Sequence, residues 1–180
     1  MSKFYIKLTT KLQKFIEAQK IFFVATAPIA GRINLSPKGM DSFKVINENR
    51  VLWLNVTGSG NETAAHLLEN KRITIMFCSF EKVPNILRLY GKGKEIKPND
   101  ENWNEVVSIF PETPGTRQIF DITIESAQTS CGMSIPFYEF KGERNDLNDW
   151  AENQGEENIK QYWEDKNQTS IDGLPTKITE

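Results

Sequence analysis

The sequence predicts a mainly β protein with peripheral helices, built as an antiparallel barrel. Three observations carry this. About six runs of β-branched and aromatic residues are separated by turn residues. The helical patterns between them are short, with no regular strand–helix–strand alternation of the kind that builds parallel sheets. Residues 117–128 alternate strictly, with Phe120, Ile122 and Ile124 set against Asp121, Thr123 and Glu125.

Leu8, Leu12, Phe15 and Ile16 recur at helical spacing behind a capping box of Thr10 and Gln13, which predicts a helix over 10–19. Residues 21–25 suit a buried strand, and the stretch 28–32 turns the chain into a second strand over 33–36. A short strand or barrel corner at 43–46 closes at Asn47-Glu48-Asn49. Val51-Leu52-Trp53-Leu54 forms the next strand and leads into the loop Thr57-Gly58-Ser59-Gly60-Asn61, with Asn61 as N-cap of a helix over 62–69. Strands over 73–77 and 86–96 follow. Gly91 and Gly93 in the latter predict a bulge or a close backbone approach. Pro98-Asn99-Asp100 opens a helix that packs through Trp103, Val106, Val107 and Phe110 and stops at Pro111. From Asp146 the chain is acidic and helical, with Leu147, Trp150, Ile159, Tyr162 and Trp163 as packing residues, and it ends in a polar loop over 167–175. The expected organisation is a barrel domain over 1–145 with a helical segment and tail, 146–180, packed on it.

Composition narrows the chemistry. A chain of 180 residues supports one substantial core, and a net charge of −2 gives no footprint for general nucleic-acid binding. No long apolar run suggests a leader or a membrane span, so a reduced, cytoplasmic setting is expected. Two cysteines, Cys78 and Cys131, are too few for a disulfide framework or a cysteine zinc site. Cys131 has no flanking cation to lower its pKa and reads as inert. The single histidine, His66, rules out a multi-histidine metal site, and no metal is expected. Amid Ala64, Ala65, Leu67 and Leu68 it reads as a helix-surface residue.

Two segments point to a ligand. The glycine loop between a strand and a helix directs unpaired N–H groups and the positive end of the helix dipole at one place, which suits a phosphate. Gly58-Ser59-Gly60-Asn61-Glu62-Thr63, with Glu81 further on, also approximates a dinucleotide fingerprint. Thr63 at the third glycine position, a helix of about two turns and the hairpins that follow count against that reading. A purely structural turn is the other alternative. The second segment, Asn34-Leu35-Ser36-Pro37-Lys38-Gly39-Met40-Asp41, sets a hydroxyl, an ammonium and a turn glycine at a strand end, which suits an anion.

These residues, in this order and ending with Leu68-Glu69-Asn70, resemble the pyridoxamine 5′-phosphate oxidase-like proteins over about residues 15–126. Cys131 to Pro136 and the tail are similar to a bacterial subgroup of them. The resemblance implies a split antiparallel β-barrel and FMN as cofactor. It also implies a homodimer with the flavin at the subunit interface and an oxidoreductase acting on a small-molecule substrate. By position it implies cofactor contacts from Asn34, Ser36, Lys38, Asn55, Val56, Thr57, Asn61, Glu62 and Thr63. Lys38 matches the family's phosphate-binding lysine. Asn61, Glu62 and Thr63 stand where the true oxidases carry a serine, an arginine and a lysine, so the phosphate must lean on Lys38, Arg32 and backbone amides. The oxidases' C-terminal tryptophan and arginine-leucine pattern is missing, which makes pyridoxamine phosphate a poor substrate. Phe137, Tyr138, Tyr162 and Trp163 are candidates to cover the flavin, and the tail is a candidate to close its site. A flavin-binding module without turnover, or a deazaflavin- or nicotinamide-dependent reductase, are the alternatives.

Overall fold

A computed structural model describes residues 2–180. The elements are β1 (Lys3–Tyr5), α1 (Thr10–Ala18), β2 (Phe22–Thr26), β3 (Asn34–Lys38), β4 (Phe43–Asn47), β5 (Arg50–Val56), α2 (Glu62–Asn70), β6 (Arg72–Cys78), β7 (Ile86–Ile96), α3 (Trp103–Val107), β8 (Thr116–Ser130) and α4 (Asp146–Lys166). All strand pairs are antiparallel, in the order β3-β2-β6-β7-β8-β5-β4, with β1 on β8. The fold is mainly β with peripheral helices, as the sequence predicts.

Chain connectivity shows that this sheet is rolled. β3 and β4 lie at opposite ends of the strand order, yet only residues 39–42 join them. So short a link spans at most roughly 18 Å at about 3.6 Å per residue. The two ends of the sheet therefore meet. Met40 (φ 64°) and Asp41 (φ 51°) both take left-handed backbone conformations to make this corner. Inside the roll, Phe43 of β4 packs 5.0 Å from Phe22 of β2 and 5.1 Å from Phe77 of β6, ring centre to ring centre.

Period-2 geometry divides the core. Val51 and Trp53 on β5, with Phe120, Ile122 and Ile124 on β8, fill the barrel interior. Leu52, Leu54 and Ile119 face the other way and pack under Val106 and Phe110 of the α3 segment. β5 is thus buried on both faces, which explains its nearly unbroken apolar sequence. The bulge falls between Tyr90 and Gly91. A Cβ on Gly91 would lie 2.1 Å from the Thr123 carbonyl oxygen, so only glycine fits.

Three expectations need correcting, and one strand, β1, has no counterpart in the sequence reading. The N-cap of α1 is Thr9, whose hydroxyl accepts from Leu12 N at 3.4 Å, not Thr10. β1 has no periodic signal; its pairing with β8 creates it. Gly155 (φ 72°, ψ 163°) breaks α4 in two. His66 is not on the surface. It is fully buried, with Nδ1 2.9 Å from Thr26 Oγ1, Nε2 without a hydrogen-bond partner, and Glu62 Oε2 4.0 Å away. Leu68 rather than His66 takes the exposed side of α2.

Candidate functional site

A cavity of about 770 Å³ lies between β3, the end of β5, the glycine loop, the start of α2 and the segment after α4. Asn34, Ser36 and Lys38 alternate along β3 and so share one face, which lines the cavity, while Leu35 points to solvent. Ser36 donates to Asn34 Oδ1 at 3.2 Å. Asn34 Nδ2 reaches Thr63 Oγ1 at 3.5 Å, linking β3 to α2. Asn55, Val56, Asn61, Glu62 and Thr63 also line the cavity. Thr57 does not. Its hydroxyl donates to the Gly115 carbonyl at 2.8 Å and accepts from Trp163 Nε1 at 2.8 Å, so it anchors α4 behind the wall.

The lining is cationic. Lys38 Nζ lies 5.2 Å from the centre of the Trp53 ring. Burial, assisted by the charge of Arg117, lowers its pKa to about 8. Arg117 is 2% exposed, and burial lowers its pKa to about 10. Its Nη1 donates to the Gly60 carbonyl at 3.2 Å and to Asn167 Oδ1 at 2.5 Å. Its Nε is buried without a partner. Arg32 and Lys166 complete the basic lining. Behind Arg117, burial pushes the Glu95 carboxyl up to about 7. Asn61 takes the N-cap position of α2 but makes no side-chain capping bond. Its amide pairs instead with buried Gln118, through bonds of 2.7 and 3.3 Å that fix the glycine loop to β8.

The C-terminal segment closes one side. Both Glu62 carboxylate oxygens accept the N–H of Ile171, at 3.0 and 3.2 Å. Asp172 accepts from the backbone N–H of Arg32 at 2.6 Å and pairs with its guanidinium, which together hold its carboxyl below the usual range. Asn167, fully buried, donates to the Gly58 carbonyl at 3.1 Å. The segment folds on itself through the Thr169–Pro175 bridge and the bond from Ser170 N to Leu174 O at 2.8 Å. Thr169, Ser170 and Ile171 line the cavity.

Arg117 and Lys166 are the lining residues that sequence reasoning passed over. Arg117 reads there as the first residue of a strand. The one available signal was a cation on the Ile119 face of that strand, directly after the Pro114-Gly115 turn.

A family model described as pyridoxamine 5′-phosphate oxidase matches residues 8–131. The pyridoxamine 5′-phosphate oxidase family protein ustO of Aspergillus flavus is 36% identical over 195 residues, an alignment spanning 97% of this chain and 78% of that protein. The chain belongs to the pyridoxamine 5′-phosphate oxidase family. Two solved structures share its fold. A putative pyridoxamine 5′-phosphate oxidase from Lactobacillus delbrueckii matches with a TM-score of 0.57 and 17% identity, over 68% of this chain and 94% of that one. HupZ of Group A Streptococcus matches with a TM-score of 0.55 and 18% identity, over 68% and 98%.

Proposed function

We propose that the cavity holds FMN and that the protein is an FMN-dependent oxidoreductase acting on a small molecule. The observation that carries this is the cavity itself. At about 770 Å³ it lies within the ~300–1,000 Å³ usual for small-molecule sites, and it sets buried Arg117 and half-buried Lys38 beside a glycine loop. Family membership supports the same reading. The residues present fit the group. Lys38 would hold the phosphate, the end of β5 at Asn55 and Val56 would run beside the ring, and the tail would keep water out. A bound flavin supplies hydride acceptance. The chain's own part is binding, orientation and shielding.

A homodimer belongs to this proposal. Phe137 and Tyr138 are 78% and 68% exposed and are suited to cover a neighbouring subunit's flavin. Trp163 bonds to Thr57 and Tyr162 packs edge-on against Trp150 at 5.6 Å, so both pack within their own subunit.

Purification tests the function. The reading expects a yellow protein whose flavin is bleached by NADH or NADPH and recoloured by air. A yellow protein inert to both reductants points to a binding module. A colourless protein that takes up no added FMN defeats both flavin readings.

A further inference from the structure

At the start of α2 the Glu62 carboxylate lines the cavity and is tied to Ile171. That end of the helix is therefore already compensated by an anion. The cations of the lining are in the reverse situation. Among the described residues, neither Lys38 nor Arg117 forms an ion pair, although both line the cavity, Arg117 buried and Lys38 half-buried. The polar contacts of Arg117 are two neutral oxygens, on Gly60 and Asn167. Arg32 is answered by Asp172. Glu95 acts on Arg117 by its charge but makes no ion pair with it, and burial raises its carboxyl to about 7. The carbonyls of Gly58 and Gly60 each accept a hydrogen bond, from Asn167 and Arg117, which offsets part of their negative charge. Like charges that act on each other, one of them fully buried, are costly unless a ligand of opposite charge completes them.

We propose that Arg117, reaching in from β8, joins Lys38 to form a receptor for a phosphate dianion. The inference rests on the FMN reading only for the source of that phosphate: it belongs either to the flavin or to a phosphorylated second ligand. Arg117 acts as a charged fork held by Gly60 and Asn167, and Lys38 as a point charge opposite.

Titration calorimetry with FMN, riboflavin and inorganic phosphate on the wild type, Arg117→Lys and Lys38→Met tests it, with circular dichroism to verify folding. The expected result is a loss of tenfold or more in FMN affinity in each variant, with riboflavin affinity within twofold of wild type. Unchanged FMN affinity, with phosphate binding to the FMN-loaded protein lost in both variants, also supports the receptor and assigns it to a second ligand. If no flavin binds but inorganic phosphate does, dependent on both residues, the receptor stands and the FMN reading falls. Equal losses for FMN and riboflavin, or no loss for any probe, overturn the receptor. Should Arg117→Lys not fold, Lys38→Met decides by the same criteria.

Discussion

Glu62 grips the main-chain N–H of Ile171 with both carboxylate oxygens, at 3.0 and 3.2 Å, across 109 positions of sequence. One side chain thereby does two jobs. It puts negative charge at the positive end of α2, and it pins the C-terminal segment over the cavity. Asp172, one residue further on, makes the converse contact: its carboxylate accepts the backbone N–H of Arg32, beside Gly31 at φ 138°. A polar chain end that makes such bonds is a built wall.

Glu62→Ala removes the acceptor while leaving α2 a good helix former. A charge-assisted hydrogen bond contributes about 1.5–3 kcal/mol, and the Glu62 side chain is only 22% exposed, so little of this is screened. Hydrogen exchange at the Ile171 amide should speed up by about tenfold or more. Exchange at wild-type rate would mean that Glu62 does not hold the tail.

Deleting residues 167–180 takes away Asn167 and Thr176, both fully buried, and with them the bonds to Arg117 and Gly58. Added FMN should then be lost faster on dialysis, and the thermal midpoint should fall. A truncated protein that keeps both properties would show the tail to be dispensable.

Much of this was legible in the sequence, and what was not has a common cause. The β8 alternation, the Gly91 bulge and the spacing of Asn34, Ser36 and Lys38 are local patterns, and local patterns survive folding. His66 was misplaced because its burial depends on Thr26, 40 positions away, and α2 is buried by β2 and β7 rather than by its own periodicity. Arg117 was missed for the same reason, since its partners lie 57 and 50 positions away. Asn61 has an N-cap's sequence context, but buried Gln118 offers its side chain a dry reciprocal pair, and that pairing wins.

The proposed homodimer should sediment at about twice the monomer mass at micromolar concentration. Phe137→Ser changes a side chain that is mostly exposed, so it should leave the folded subunit within about 0.5 kcal/mol of wild type while weakening the dimer. A wild-type monomer that holds FMN tightly would remove the shared site.

Gly91→Ala probes the bulge. Its Cβ would stand 2.1 Å from the Thr123 carbonyl oxygen, within the 11-residue β7 that pairs with β8. Backbone cannot yield cheaply there, and a loss above about 2 kcal/mol is expected in urea unfolding. A near-neutral variant would show that the strands separate easily at this point.

Glu95 should set part of the protein's pH dependence. Burial pushes its carboxyl from 4.5 up to about 7, against the opposing pull of Lys97 and Arg117, and its Oε1 is buried without a hydrogen bond. The folded state therefore holds this proton more tightly than the unfolded chain does. Between pH 4.5 and about 7 the folded state binds more protons, so stability falls as pH rises through that window. The contribution present at low pH is lost above it, on the order of 1–3 kcal/mol. Glu95→Gln keeps the shape and removes the titration. Urea midpoints at pH 4.5 and pH 8 should therefore differ less in the variant than in the wild type, with the variant the more stable of the two at pH 8. Every other titrating group is common to both proteins and cancels in the comparison. The same pH difference in both would mean that Glu95 is ionised at little cost, and that its place behind Arg117 is wetter than its burial implies.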